Sequence, residues 1–173
     1  MLLFGDGSGS NWRLAAGWAC VSIERLTMER VIYRGSVNRG TVNFVELMAY
    51  VQALDCLSGR EADLKANGGP TRAFHVHIIT DSDYCRTLGS TEQRNGLKNA
   101  GLWSVLDAYA RHGFILRWHH VRGHTEGEGC ALNKYVDTLS KAERKSRKAA
   151  PAAQVEELKT VYDVNPSEEE PSN

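Results

Sequence analysis

No apolar run in this sequence approaches the roughly 18 residues that a membrane-spanning helix requires, which sets the membrane classes aside. The opening Met1-Leu2-Leu3-Phe4 is too short for the core of a secretory signal and runs straight into Gly5-Asp6. Cysteine is sparse: Cys20, Cys56, Cys85 and Cys130 stand apart, with no CxxC pair and no short Cys/His spacing. That argues against both a zinc site and a disulfide framework. No internal repeat is present. What remains is one globular domain, 173 residues with enough apolar content for a real core, expected to be soluble, cytoplasmic and monomeric.

Net charge is also missing, with 21 basic against 21 acidic side chains, but the balance hides an asymmetry. Residues 151–173 hold six acids (Glu156, Glu157, Asp163, Glu168, Glu169 and Glu170) against Lys159 alone. Residues 1–150 therefore carry 20 basic and 15 acidic groups, a surplus of five. Such a surplus attracts polyanions, although a merely soluble basic surface has the same composition. Residues 149–173 are poor in large apolar groups and read as a mostly disordered acidic tail on a domain spanning 1–148.

Hydrophobic periodicity predicts short strands at 2–4, 15–24 and 31–38, then a helix from Asn43 to about Leu57 with Leu47, Val51 and Leu54 on one face. Ser58–Arg72 reads as a loop or a frayed continuation. Phe74–Thr80 is a buried strand, Ser82 begins a short helix, and Asn99–His112 is a clear one. Phe114–Val121 is the last strand, followed by a glycine-rich loop at 122–129 and a helix over 131–148. Three leading strands joined as a meander, with later strands linked through helices, make a mixed α/β sheet flanked by helices.

Four carboxylates sit where carboxylates are least expected. Asp6 follows Leu2-Leu3-Phe4 and begins a Gly-Ser turn. Glu46 is the only charge between Arg39 and Asp55. Asp81 ends the run Phe74–Thr80, and Asp137 lies beside Val136 and Leu139 in the last helix. A carboxylate next to a core loses hydration at a cost of several kcal/mol unless something cationic meets it. Several converging carboxylates also repel one another, so a divalent cation is their natural partner. Taken singly, Asp-Gly-Ser is most often a plain turn and Thr-Asp-Ser a strand end with a cap.

In order, these pieces resemble the type 1 ribonuclease H family. The matching segments are Gly5-Asp6-Gly7-Ser8, Val45-Glu46-Leu47-Met48-Ala49, Thr80-Asp81-Ser82-Asp83-Tyr84, Val121-Arg122-Gly123-His124 and Asn133-Lys134-Tyr135-Val136-Asp137, with Trp103 and Trp118 also in the family's order. The resemblance covers about residues 1–145. It implies a ribonuclease H-like five-stranded sheet, three strands antiparallel and the later ones parallel, and endonucleolytic cleavage of the RNA strand of an RNA–DNA hybrid. It also implies two Mg²⁺ ions, with Mn²⁺ as substitute, and 3′-hydroxyl and 5′-phosphate products. Asp6, Glu46, Asp81 and Asp137 would be the metal carboxylates, and His124 the mobile histidine that aids proton transfer or product release. Gly7 and Ser8 would lie against substrate. Arg39, Thr41 and Asn99 match a phosphate pocket for the DNA strand, Asn11 and Asn43 could reach minor-groove edges, and Asn133 could steady Asp137 one turn later. The residues alone leave room for Thr41 and Asn99 as helix caps. His75, His77, His119 and His120 read as strand residues.

The chain departs from the family pattern in its loop Thr125–Leu132, which is longer than usual, and after the third carboxylate. Many relatives insert a basic, tryptophan-rich helix after the third carboxylate; here Asp81 to Asn99 is short, with Arg86, Arg94 and Lys98 its only basic residues. Lys141, Arg144, Lys145, Arg147 and Lys148 could replace that charge or form an ordinary solvated helix face. Two alternatives stay open: another nuclease of the same superfold, such as a junction resolvase or exonuclease, and a non-catalytic nucleic-acid-binding module. The latter would be expected to have lost a metal carboxylate, and none is missing.

Overall fold

The computed structural model describes residues 1–10, 13–67, 73–89, 98–122 and 128–149. Along the chain run β1 (Leu2–Ser8), β2 (Ala16–Ile23), β3 (Arg30–Val37), α1 (Val42–Ala66), β4 (Phe74–Thr80), α2 (Asp83–Gly89), α3 (Ala100–Arg111), β5 (Phe114–His120) and α4 (Glu128–Ala149). The strands form one sheet ordered β3-β2-β1-β4-β5. β1, β2 and β3 pair antiparallel, while β4 is parallel to β1 and β5 to β4. A parallel neighbour requires a crossover, and α1 supplies it between β3 and β4. The mixed five-stranded sheet expected from the periodicity is the one observed.

Because side chains alternate across a strand, the sheet has two apolar faces. One places Leu3, Cys20, Val76 and Ile78 against Leu47, Tyr50, Val51 and Leu54 of α1 and Trp103 and Leu106 of α3. The other places Phe4, Ala19, Val21, Ile23 and Ile79 under Val136 of α4, with Leu132 and Leu139 packed beside it. Helices α1 and α4 thus approach β1 from opposite sides, and each carries one of the singled-out carboxylates.

Three boundaries differ from the expectation. β1 does not stop at Phe4: Gly7 and Ser8 stay extended because β2 pairs with them, Gly7 with Trp18 and Ser8 with Gly17. Asp6 therefore lies inside a strand, opposite Ala19, rather than at the head of a turn. Helix α1 continues nine residues past Leu57 to Ala66, since nothing in 58–66 forbids it and Gly59 is open to solvent with nothing near it. α4 begins at Glu128, three residues earlier than expected, which shortens the glycine-rich loop. The expected acidic tail lies outside the described residues, apart from Ala149, which ends α4. Among the described residues no helix is long and apolar enough to cross a membrane.

Candidate active site

The pairing of β1 with β4 ends at Phe4 and Ile79, and the two strands part there. Tyr50, fully buried on α1, sits at the fork: its hydroxyl lies 2.9 Å from the Gly5 carbonyl and 3.0 Å from that of Ile79, sharing its proton between them. The ring fits because residue 5 has no side chain; a Cβ there would stand 2.6 Å from it. Asp6 follows immediately on one branch of the fork, and Asp81 follows β4 on the other.

Gly7 brings α1 close. A Cβ on Gly7 would lie 2.5 Å from the Glu46 amide nitrogen and 2.8 Å from the Val45 carbonyl carbon, so only glycine lets β1 pack this tightly on the start of the helix. Glu46 is thereby held next to Asp6. Ser82 serves two elements at once: its hydroxyl accepts the Cys85 N–H at 3.2 Å, capping α2, and donates to Glu46 Oε2 at 2.6 Å. From the opposite face, Ser140 of α4 donates to Asp6 Oδ2 at 3.1 Å. Asn133 Nδ2 donates to Asp81 Oδ2 at 2.8 Å, so this amide steadies Asp81 and not, as expected from spacing, Asp137. Asp137 is met by the Lys141 ammonium one turn on, at 2.7 Å.

Asp6, Gly7, Ser8, Glu46, Asp81, Asn133 and Asp137 line a single cleft together with Ser82, Lys134, Lys141 and Arg144. Asp6 and Glu46 are only 8% and 9% exposed. Burial, reinforced by the charge of Asp81, pushes the Asp6 carboxyl up to about 7. Burial likewise raises Glu46 to about 7, opposed by the Ser82 hydrogen bond and reinforced by Asp6 and Asp81. Two carboxyls held this far above their ordinary range, facing a third and a fourth, form a site that gains energy from a cation.

The other expected contacts lie elsewhere. Thr41 accepts the Phe44 N–H at 3.2 Å and caps α1, and Asn43 is exposed in that helix's first turn. Arg39 is exposed just before it. Asn99 stands at the N-cap position of α3 in the left-handed region (φ 62°), yet its amide does not cap; it donates to the Tyr84 hydroxyl at 3.1 Å. None of these four lines the carboxylate cleft. Asn11 and His124 lie outside the described residues. The four strand histidines are on β4 and β5 as expected, with His77 and His119 stacked and their ring nitrogens 2.8 Å apart.

The family model for RNase H matches residues 1–145. This chain belongs to the RNase H family. It is 32% identical over 154 residues to the Ribonuclease H of Cereibacter sphaeroides strain ATCC 17029, covering 79% of this chain and 89% of that protein. It is 33% identical over 153 residues to the Ribonuclease H of Chromohalobacter salexigens, covering 81% of each. Among solved structures it is similar to LC11-RNase H1 in complex with an RNA/DNA hybrid, with a TM-score of 0.63, 14% identity and coverage of 86% of this chain and 99% of that one. The N-terminal RNase H domain of a Mycobacterium tuberculosis protein gives a TM-score of 0.62 at 17% identity, covering 85% of this chain and 94% of that one. At those identities the structural likeness speaks for the fold, and the fold is the RNase H fold. As an RNase H the chain is an enzyme, a hydrolase of nucleic acid.

Members of this family use divalent metal ions, and the cleft can be tested for one. Its donors are hard carboxylate oxygens with an amide oxygen beside them, the set that suits Mg²⁺ or Mn²⁺ rather than a softer ion. The Oδ1 atom of Asn133, the residue that holds Asp81, is buried with no hydrogen-bond partner among the described residues. Among those residues no three carboxylates are drawn up as a finished ion cage. Instead each is engaged by a donor: Asp6 by Ser140, Glu46 by Ser82, Asp81 by Asn133 and Asp137 by Lys141. The residue types, the burial and the raised carboxyls fit a divalent cation.

Proposed function

We propose that this RNase H hydrolyses the RNA strand of RNA–DNA hybrids at the cleft between β1, β4, α1 and α4, leaving 3′-hydroxyl and 5′-phosphate ends. The observation that carries the reading is the convergence of Asp6, Glu46, Asp81 and Asp137 on one cleft from two strands and two helices. Asp6, Glu46, Asp81 and Asp137 would hold two Mg²⁺ ions, for which Mn²⁺ could substitute. Bound there, the ions would supply Lewis-acid stabilisation of the phosphodiester and activation of water at neutral pH.

The chain's own residues do the rest. Ser140, Ser82 and Asn133 orient the carboxylates of Asp6, Glu46 and Asp81 at the cleft before substrate arrives. Gly7 and Ser8 present a floor without bulky side chains, over which a sugar-phosphate backbone can approach closely. Lys134, Lys141 and Arg144 line the cleft and bring positive charge to where a phosphate must sit. Glu46 would also meet the ribose 2′-hydroxyl, the group by which RNA differs from DNA. His124, by its place in Val121-Arg122-Gly123-His124, would move a proton to the departing 3′ oxygen through its imidazole nitrogen. Arg39, Thr41 and Asn99 would grip the DNA strand's phosphate, with Asn11 and Asn43 at the minor groove.

The test is cleavage of an end-labelled RNA–DNA hybrid in Mg²⁺, beside double-stranded RNA, double-stranded DNA and a four-way junction. Hybrid-only cutting, lost in Asp81→Asn by ~10³-fold or more, is the expected result. Cutting of the junction or of DNA duplex in place of the hybrid would move the protein to another activity of the same fold. Binding without cutting would make it a recognition module.

A further inference from the structure

We propose that the exposed basic edge of α4 is a phosphate track along which the hybrid's backbone lies, taking over the electrostatic work that the short segment after Asp81 does not do. The inference rests on the hydrolytic reading above and extends it beyond the cleft.

Lys134, Asp137, Lys141, Arg144 and Lys148 follow one another at intervals of three and four residues, which places them in one stripe along the helix. Lys134, Asp137, Lys141 and Arg144 all line the carboxylate cleft, so the stripe begins inside the site. Lys148 continues it outward, with Lys145 beside it, and both are exposed and make no ion pair among the described residues. At 1.5 Å per residue the stripe runs roughly 20 Å, enough to follow several nucleotides. From Lys141 to Ala149 there are five basic residues and a single acid, Glu143, which is occupied by Arg34 at 3.4 Å.

Two contacts, one at the cleft and one beyond it, give the stripe a direction. Arg144 Nη1 donates to the Gly9 carbonyl at 3.4 Å, and Arg147 Nε donates to Asn38 Oδ1 at 2.6 Å. Gly9 in turn lies against the backbone of Gly40, Thr41 and Val42. The basic face of α4 therefore borders the 38–42 turn, which carries Arg39 and Thr41. The carboxylate cleft and the turn that carries Arg39 and Thr41, two of the three residues proposed for the DNA strand's phosphate, are thus joined through α4. Helix-dipole complementarity would account for Arg147 and Lys148 in the last turn. It does not account for Lys134, Lys141 and Arg144, which lie up to nearly four turns earlier and at the cleft.

A polyanion track has a signature that a solvated helix face lacks. Each phosphate contact steepens the fall of affinity with salt by about 0.9 in log–log slope. The full chain and Lys145→Gln/Lys148→Gln would be titrated with a labelled RNA–DNA hybrid in EDTA from low to moderate salt. Arg111→Gln serves as the control, since Arg111 is exposed at the end of α3, on the opposite face of the sheet. The double variant should bind about tenfold more weakly near 0.1 M salt, with a slope shallower by nearly two. Arg111→Gln should match wild type, and all three proteins should melt alike. Unchanged slope and affinity in the double variant would overturn the proposal, as would an equal loss in Arg111→Gln or failure of wild type to bind hybrid at low salt. Wild-type cleavage in Mg²⁺, run alongside, separates these outcomes from failure of the hydrolytic reading.

Discussion

Asp6→Asn is expected to reduce hybrid hydrolysis by at least ~10³-fold and, in the same molecule, to make the metal-free protein harder to unfold at neutral pH. The two effects share a cause. Asp6 faces Asp81 and Asp137 from a nearly dry position, so its charge is unfavourable until a cation arrives. Its folded carboxyl titrates near 7 and its unfolded one near 4, so between those values the native state holds a proton that the unfolded chain has released. By linkage, stability is fully present below about pH 4 and declines as pH rises to about 7, where the loss is complete. Glu46 behaves in the same sense. In EDTA at pH 8, Asn at position 6 removes a penalty of about 2–4 kcal/mol and should raise the melting temperature by several degrees. The difference should shrink towards pH 5, where the wild-type carboxyl is neutral. Thermal melts of both proteins across pH 5–8 check this. A variant that melts below wild type at pH 8 would mean that the Ser140 contact, not charge, governs the position.

Gly17→Ala should also inactivate the enzyme, although residue 17 touches no substrate. A Cβ there would stand 2.3 Å from the Ser140 carbonyl oxygen and 2.4 Å from the Arg144 amide nitrogen. Both are helix backbone and cannot rotate away, so α4 must lift off β2. Asp137, Ser140, Lys141 and Arg144 travel with it. The expected cost is about 3 kcal/mol of stability, with loss of most hydrolytic activity even well below the melting temperature. Gly59→Ala is the contrasting change: it adds a methyl in open space on α1 and should stabilise by about 0.5–1 kcal/mol without affecting cleavage. Denaturant titrations and initial rates on the two variants test the pair. Full activity in Gly17→Ala would show that α4 does not need this close seat on the sheet.

Periodicity and the carboxylates' contexts made much of this legible. Apolar runs gave five strands and a meander that sets β1, β2 and β3 side by side, but that β4 joins the β1 edge and not the β3 edge does not follow from local pattern. What local pattern did not show is what depends on a neighbour. Gly7 and Ser8 read as a turn until β2 is known to pair with them. Helix α1 runs through Gly59, a residue that often ends helices, so its extent to Ala66 could be read only as loop or frayed helix. Ser140 and Ser82 carry no sequence signal for their roles, since a serine meets a carboxylate 134 or 36 residues away only after folding. Nothing local marks Tyr50, whose hydroxyl acquires meaning only from the Gly5 and Ile79 carbonyls. Asn133 lies one turn before Asp137, which favours the local partner on spacing alone, whereas the fold offers it Asp81. Thr41 was legible both as cap and as phosphate ligand; its hydroxyl caps α1.

Whether the four carboxylates form one cation site is decided by calorimetric titration of the full chain with Mn²⁺ at pH 7.5. Saturable binding to wild type is expected, weakened at least about tenfold in Asp81→Asn, with the melting temperature rising on saturation. Mn²⁺ that fails to bind or to stabilise the folded wild-type protein, or that binds Asp81→Asn equally well, would contradict a single cation site.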